Sequence, residues 1–476
     1  MKKISVILIS ILMLLILSSC DYVVIPKDPV PLPEAKVIGF DRLFNDEIEK
    51  TIKIVISQSE WNNLDSKMKA YYNQYGNYRT DFYANANMIY SDSEGEFEIT
   101  EVGFRTRGNL SRVRIQNDDG SLNLSHFKVK FNADFNPQND KRKVFEVEEL
   151  DMKFNRNEDA TYLTEKYSMD LFNQMGVFAA HTTLAKFYIQ IGNTTHFYGI
   201  YTIFEPIDKD FIQRRLDKLE SNGNLYKSLW QQFGPANLGL NYPQNAIGIK
   251  DESLNYRPAY DLKTNKKIND HTELINFIYE INQRTGSNFK NYIEANFDVS
   301  MFLKYLAVGV LLGNPDDYRA MGNNYYLYHN NIENKWMMIP YDYDHGLAQG
   351  WDGSQVFSNW TVGADIYQWG NLNKAILNVE DYPHPLVDKI LKFEEYQLEY
   401  EGYLRELINP DNHLFSYEAF STLYEVQKAL YNDDVDNAKM NLKFGLRNIE
   451  WYFEAKVNDI ANQLDYYESN PGLRGT

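Results

Sequence analysis

The chain of 476 residues contains a single cysteine, Cys20. A lone thiol excludes disulfides within the chain and zinc sites built from cysteine ligands. Positive charge is also scarce: 48 Lys and Arg stand against 66 Asp and Glu, a formal charge of -18. That balance argues against a general nucleic-acid binder, which would carry a basic face. An anionic substrate would need local cations or a bound metal. The sequence has no repeat of solenoid length, and no low-complexity tract beyond one proline-rich stretch. Apolar and aromatic residues are plentiful: 43% of the chain is hydrophobic and 15% aromatic, with 36 tyrosines. This is enough for a substantial core and excludes global disorder. The length leaves room for two or three domains, or for one two-lobed unit.

The lone cysteine sits in an informative place. Lys2 and Lys3 precede the apolar run Ile4 to Leu17, and Ser18-Ser19-Cys20 follows. A basic segment, an apolar segment and small residues at a cut describe a secretory signal. Cysteine directly after the small residues resembles the lipobox of bacterial lipoproteins, in which the thiol is acylated and becomes the mature N-terminus. An uncleaved membrane anchor is the alternative. The expectation is a signal peptide over 1–19 and lipidation at Cys20, with two or three acyl chains giving stable attachment where one would be marginal. The protein would then be extracytoplasmic and membrane-anchored. Residues 20–45 contain Pro26, Pro29, Pro31 and Pro33, a spacing that favours an extended tether.

Beyond the tether, 46–209 reads as β-rich. Residues 48–56 alternate like a half-buried strand, and Trp61 to Met68 has the pattern of a short helix. Strands follow around 83–90, 97–107, 127–131, 184–191 and 199–204, with a helix from Asp159 to Met175. From 210 to 476 the periodicity is mainly helical, near 271–284, 298–312, 385–408, 415–432 and 434–465. A hairpin over 325–341 interrupts it. The expected fold class is α+β, with a β-rich first lobe and a mainly helical second lobe.

The stretch GNPDDYRAMGNNYYLYHNNIENKWMMIPYDYDHG, Gly313 to Gly346, concentrates polar residues at the ends of apolar strands. Asp316 and Asp317 lie in a turn after a helix. Asn323 and Asn324 open one strand, and Asp342 and Asp344 close the next. If the strands pair, the Asn entrance and the Asp exit meet at one end. Converging carboxylates raise one another's pKa or recruit a cation, and Asp and Asn oxygens suit magnesium. Asp and Asn are also common turn residues, which is the plainer reading of any one of them. In the β half, Lys128 and Lys130 share one strand face, and Glu165 lies on a largely apolar helix face where it needs a cationic partner. Arg107-Gly108-Asn109 could form a turn that approaches phosphate closely. A strand lysine, a helix glutamate, a catalytic Asp and metal-holding Asn and Asp form the set that protein kinases use. The usual signatures HRD, DFG and GxGxxG are absent, however, as is a Walker lysine loop.

The ordered set RGNLS (107–111), FKVKF (127–131), YGIYTIFEPID (198–208), NLYKS (224–228), GNPDDY (313–318), NNYYLY (323–328) and KWMMIPYDYDHG (335–346) resembles the CotH kinase family, named for spore coat protein H. The resemblance covers roughly 46 to 460. It implies an atypical, secreted or surface-associated protein kinase with a two-lobed fold, using ATP with Mg2+ or Mn2+. On the matching positions it implies Asp316 as the catalytic aspartate, with Asp317 competing for that role. Asn324 and Asp342 would hold metal, and Asp344 would support them. Lys128 or Lys130, paired with Glu165, would face the nucleotide, with Arg107 nearby. Glu205, in FEPID, would mark the hinge between lobes, near the base. One departure stands out: eight residues separate Asp316 from Asn324, where ordinary kinases have about five. The working pair could therefore be Asp317 with Asn323. Tyr341 replaces a Trp common in the family. The expected activity is Ser/Thr phosphorylation of secreted or surface proteins. Adenylyl transfer and a non-catalytic binding or structural role on the same fold are the alternatives.

Overall fold

The computed structural model describes residues 39–109, 111–157, 159–347, 361–368, 383–432, 440–444 and 447–475. Cys20, the expected signal peptide and most of the expected tether lie outside the described residues. Among the described residues no helix is long and apolar enough to cross a membrane.

The fold is mixed α/β. Seven strands form a closed barrel: β1 (Thr51–Ile56), β2 (Ala84–Asp92), β3 (Gly95–Thr106), β4 (Phe127–Lys130), β5 (Glu149–Phe154), β6 (Thr182–Ile191) and β7 (Thr194–Phe204), in the order β1-β2-β3-β4-β5-β7-β6. Parallel pairing of β1 with β6 closes it, so no strand edge is left unpaired. The period-2 alternation of TIKIVI and FKVK sends Ile52, Ile54, Phe127 and Val129 into the barrel core and the lysines outward. Two long helices flank the barrel sequence. α1 (Gln58–Tyr75) is capped by Ser57, whose side chain accepts from Glu60 N, and ends at Gly76 in the left-handed region. α2 (Thr164–Gln174) lies between β5 and β6.

A second sheet, in the order β12-β11-β8-β10-β9, is built from β8 (Leu225–Ser228), β9 (Ile247–Gly248), β10 (Tyr260–Leu262), β11 (Tyr325–Asn330) and β12 (Lys335–Pro340). β11 is buried at every residue because it lies between β8 and β12 and is covered on both faces. Around this sheet pack α3 (Thr272–Gln283), α4 (Gly286–Asn296), α5 (Val299–Leu312), α6 (Glu394–Ile408), α7 (Tyr417–Tyr431) and α8 (Ile449–Ser469). α5, VSMFLKYLAVGVLL, is apolar on nearly every side, as a helix at the centre of a bundle must be. Asp298 caps its start by accepting from Met301 N, and Gly313, at φ 66°, ends it.

Two apolar cores result. One fills the barrel. The other joins the second sheet and its helices, and it takes in Leu171, Phe172 and Met175 from α2. Phe172 stacks on Tyr305 of α5 and meets Tyr343 edge-on. α2 therefore belongs by sequence to the β-rich part and by packing to the helical part.

Several expected elements differ. The helix expected from Asp159 starts at Thr164, because Asp159 is spent on a turn: its carboxylate accepts from Thr161 N and Thr164 N. The expected helix 385–408 is broken into Pro385–Ile390 and Glu394–Ile408. Part of the expected 434–465 helix falls on residues outside those described. The hairpin is not isolated but belongs to a five-stranded sheet, and β5 stands where no strand was expected.

Candidate functional site

The register of β11 and β12 pairs Tyr325 with Pro340, so the residues just outside the hairpin, Asn324 and Tyr341-Asp342, meet at its open end. Tyr341 N donates to Asn324 O at 3.2 Å, closing that end. Asn324 and Asp342 both take left-handed backbone, at φ 52° and 63°. Among residues other than glycine, Asn and Asp accept this conformation most readily. The conformation turns both side chains off the strand direction.

Asp316 is tied to this end by amides. Its Oδ1 accepts from Asn323 Nδ2 at 2.8 Å and its Oδ2 from Asn324 Nδ2 at 3.0 Å. Asn324 Nδ2 also donates to Asp316 O at 2.9 Å, so any ligand atom from Asn324 is its Oδ1. Burial pushes the Asp316 carboxyl up to about 7; the nearby Asp342 and Asp344 add to this, while His345 opposes it. Asp317 is committed elsewhere. It is buried, caps the turn Tyr318–Met321 by accepting from Ala320 N at 2.8 Å, and accepts from Tyr343 OH at 3.2 Å. Of the two aspartates, Asp316 is the one that meets the asparagines.

The cation for Glu165 comes from β5. Lys153 Nζ lies 2.5 Å from Glu165 Oε2, 2.5 Å from Asp342 Oδ1 and 3.3 Å from Asp344 Oδ2. It therefore joins barrel, α2 and hairpin exit in one cluster. Lys153 and Glu165 are closed off, with side chains 8% and 9% exposed, while Asp342 and Asp344 open to solvent at 33% and 26%. Burial alone would raise Asp342, but the Lys153 ammonium overrides it and holds the carboxyl below the usual range. Burial raises Glu165, with the flanking carboxylates adding and Lys153 opposing. One ammonium and three carboxylates leave two negative charges when all are ionised. Carboxylate oxygens of Glu165, Asp342 and Asp344 all lie within 4.8 Å of one another. Hard oxygens at this spacing, with two charges left over, fit a divalent cation of the magnesium or manganese class. Asn157 Nδ2 fixes the loop behind them by donating to Asp344 O at 3.1 Å.

The lysine expected opposite Glu165 was Lys128 or Lys130, and neither reaches it. Lys128 pairs with Glu149 and, at 3.2 Å, with Asp151. Lys130 lies 5.9 Å over the Tyr83 ring. The cause is topological: β5 lies between β4 and β7, and Lys153, on its outward face, is the lysine beside α2. Arg107 stands at the edge of the cluster, with Nε 3.1 Å from Asp151 and Nη2 donating to Tyr341 OH at 2.7 Å. Glu205, at the end of the barrel, is fully enclosed. It takes charge-assisted bonds from Arg214 at 2.6 Å and Arg215 at 2.8 Å, and meets His181 Nδ1 at 2.9 Å. Its carboxylate is thus engaged in an internal network and is not offered to a ligand.

A cavity of about 580 Å3 separates the outer face of β3–β5 from the second sheet. Lys128, Lys130, Arg107, Tyr341 and Lys227 line it, and Pro206, Ile207 and Asp208, just after β7, form one end. Lys227, on β8, lies 4.0 Å over the Tyr341 ring. Burial, with Arg107 and Lys263 nearby, lowers its pKa to about 7.

Lys153 and Lys227 escaped the sequence reading. The available signal for Lys153 was order: ELDMKF is the last strand before the helix that carries Glu165, the strand-then-helix order in which such a pair is made. The cleaner alternation of FKVKF drew the assignment one strand too early.

A buried lysine shared between a helix glutamate and a hairpin aspartate, beside an aspartate held by two asparagines, defines a mixed α/β protein with a compact acidic centre. The chain belongs to the CotH kinase protein family, whose model matches residues 104–460. It is similar to inner spore coat protein H of Bacillus subtilis (strain 168), at 24% identity over 224 residues, 47% of this chain and 56% of that protein; the match thus spans little more than half of the relative's length. Among solved structures it is similar to the Helicobacter pylori proinflammatory kinase CtkA, at 12% identity and a TM-score of 0.25, covering 68% of this chain and 92% of that one.

Proposed function

We propose that the chain is an atypical, metal-dependent protein kinase acting outside the cytoplasm on Ser or Thr hydroxyls of secreted or surface proteins. The observation that carries this reading is Lys153 Nζ, which bridges Glu165 and Asp342 at 2.5 Å each, beside the Asp316–Asn324 pair. The barrel and the helical part act as two lobes, with the nucleotide in the cavity between them and its base toward Pro206–Asp208. Asp342, Asp344 and Glu165, with Asn324 Oδ1, hold a divalent cation. When bound, that ion neutralises charge on the phosphates of ATP. Lys153 and Arg107 orient the phosphate chain as fixed cations. Asp316 accepts a hydrogen bond from the acceptor hydroxyl and takes its proton as that oxygen bonds to the γ-phosphorus of ATP and ADP leaves with the bridging oxygen. The two asparagines hold its carboxylate toward that hydroxyl. Acyl chains on Cys20 would keep this chemistry at the membrane surface after the signal is cut away.

Thermal unfolding tests the binding half of this reading. ATP with Mn2+ is expected to raise the midpoint of the wild type, as any ligand specific to the folded state does. Asp342→Asn should abolish the rise while retaining the far-UV circular dichroism of the wild type. A wild type with no rise at saturating ATP and metal would instead favour a binding scaffold that keeps the fold alone.

A further inference from the structure

The cavity is basic on an acidic protein: ten lysines and arginines line it against six carboxylates, although the chain carries -18 overall. Two groups of cations stand out in and beside it. One surrounds Asp342, where Lys153, Arg107 and Lys227 supply the positive field. The other surrounds Asp81, where Arg105 approaches at 3.4 Å and Lys250 forms an ion pair. Arg112, also close to Asp81, and Arg257, beside Arg112, complete this second group, and among the described residues neither has a carboxylate within ion-pair distance. Each spends one nitrogen on a backbone carbonyl, Arg112 on Thr80 O and Arg257 on Arg79 O, both at 2.5 Å.

Arg105, Arg112 and Arg257 are 9%, 7% and 8% exposed, and the Nε of each is buried with no hydrogen-bond partner. Burial, then the neighbouring Arg105, push the Arg112 pKa well below the ordinary guanidinium range. Guanidinium groups packed together in a cavity wall, with Asp81 paired to Arg105 and no carboxylate paired to the other two among the described residues, are costly unless an anion joins them. Planar forks of this kind match carboxylate or phosphate oxygens.

The cations acting most strongly on Asp342 are Lys153, Arg107 and Lys227, and none of this second group is among them. Register places Arg105, Lys128, Asp151 and Phe204 in one line across β3, β4, β5 and β7. Arg105 is therefore three strand spacings, about 14 Å, from the β7 end that leads into Pro206–Asp208.

We propose that the four cations around Asp81 form an oxyanion subsite for the acceptor, so that the enzyme favours peptides carrying a phosphate or carboxylate near the hydroxyl to be modified. This inference rests on the kinase reading for the word acceptor, but the subsite itself does not.

The test measures binding by the full chain of two fluorescent peptides, without nucleotide. Both contain one serine in a Gly-rich sequence, and only one has a phosphoserine two residues from it. The wild type should bind the phosphorylated peptide roughly tenfold tighter, as expected for charge-assisted bonds. Arg112→Gln and Arg257→Gln should each erase the preference while keeping the thermal response to ATP and Mn2+. Arg112→Lys, which keeps the charge and loses the fork, should retain part of it. Equal binding of the two peptides by the wild type would overturn the proposal. So would joint loss of the ATP response in both glutamine variants, since the arginines would then be serving the nucleotide. Peptide discrimination in a protein that shows no response to ATP would uphold the subsite and refute the kinase reading.

Discussion

Lys153 is surrounded by more negative charge than it can neutralise, and that imbalance defines the centre of the molecule. Removing it, as in Lys153→Met, leaves three neighbouring carboxylates without the ammonium that pairs with all of them. Breaking a buried ion pair from one side costs about 3 kcal/mol or more. Denaturant unfolding in a chelator should show that loss, and added Mn2+ should recover much of it by replacing one cation with another. Glu205 is the opposite case, a carboxylate with positive charge to spare. Burial works to raise its pKa, but the bonds from His181 and Arg215, with Arg214, bring it down to about 2. A depressed carboxylate contributes stability that is fully present above its unfolded value near 4.3 and is lost as pH falls toward 2. Glu205→Gln should therefore lose about 3 kcal/mol at pH 7. The stability of the variant should then change less than that of the wild type as pH falls from 5 to 2.

At the scale of elements, the site depends on a turn that brings Asp316 to the open end of the hairpin. Gly322 ends the turn Tyr318–Met321 at φ 60° and immediately precedes Asn323 and Asn324. A Cβ there would meet Asn237 backbone at 3.0 Å, so Gly322→Ala adds a steric clash to left-handed strain. The strain alone is worth roughly 1–2 kcal/mol. Calorimetry should show at least that destabilisation, and the thermal response to ATP and Mn2+ should weaken in parallel because Asp316 loses its two amides. The hairpin, its polar ends and the outward lysines of β4 were legible in the sequence, because alternation and the spacing of Asp and Asn are local signals. The pairing of Glu165 was not. It depends on which strand the barrel places beside α2, and β-strand order is a non-local property that no window of residues carries. β8 and β10 were missed for a related reason. They are short, and they become strands by joining a hairpin distant in sequence.

On the scale of the whole molecule, the sequence boundary near 209/210 and the boundary of the apolar cores do not coincide. α2 carries Glu165 toward the barrel lysine while its Leu171 and Phe172 pack into the other core. A fragment ending at residue 209 would expose that face. It is expected to lack a cooperative calorimetric transition and to bind an apolar dye; a sharp transition at wild-type enthalpy per residue would show that the barrel stands alone. The same helix links the two parts: it carries Glu165 to Lys153 of the barrel and Phe172 to Tyr305 of α5.

The most direct test of the central claim, phosphoryl transfer at the Lys153–Asp342 centre, is intact-mass spectrometry of the protein incubated with ATP and Mg2+ or Mn2+. Asp342→Asn and Lys153→Met would be run alongside. The expected result is phosphate added to the wild type, or to a co-incubated serine peptide, and to neither variant. Added AMP would convert the assignment to adenylyl transfer. Equal phosphate on wild type and both variants would contradict it.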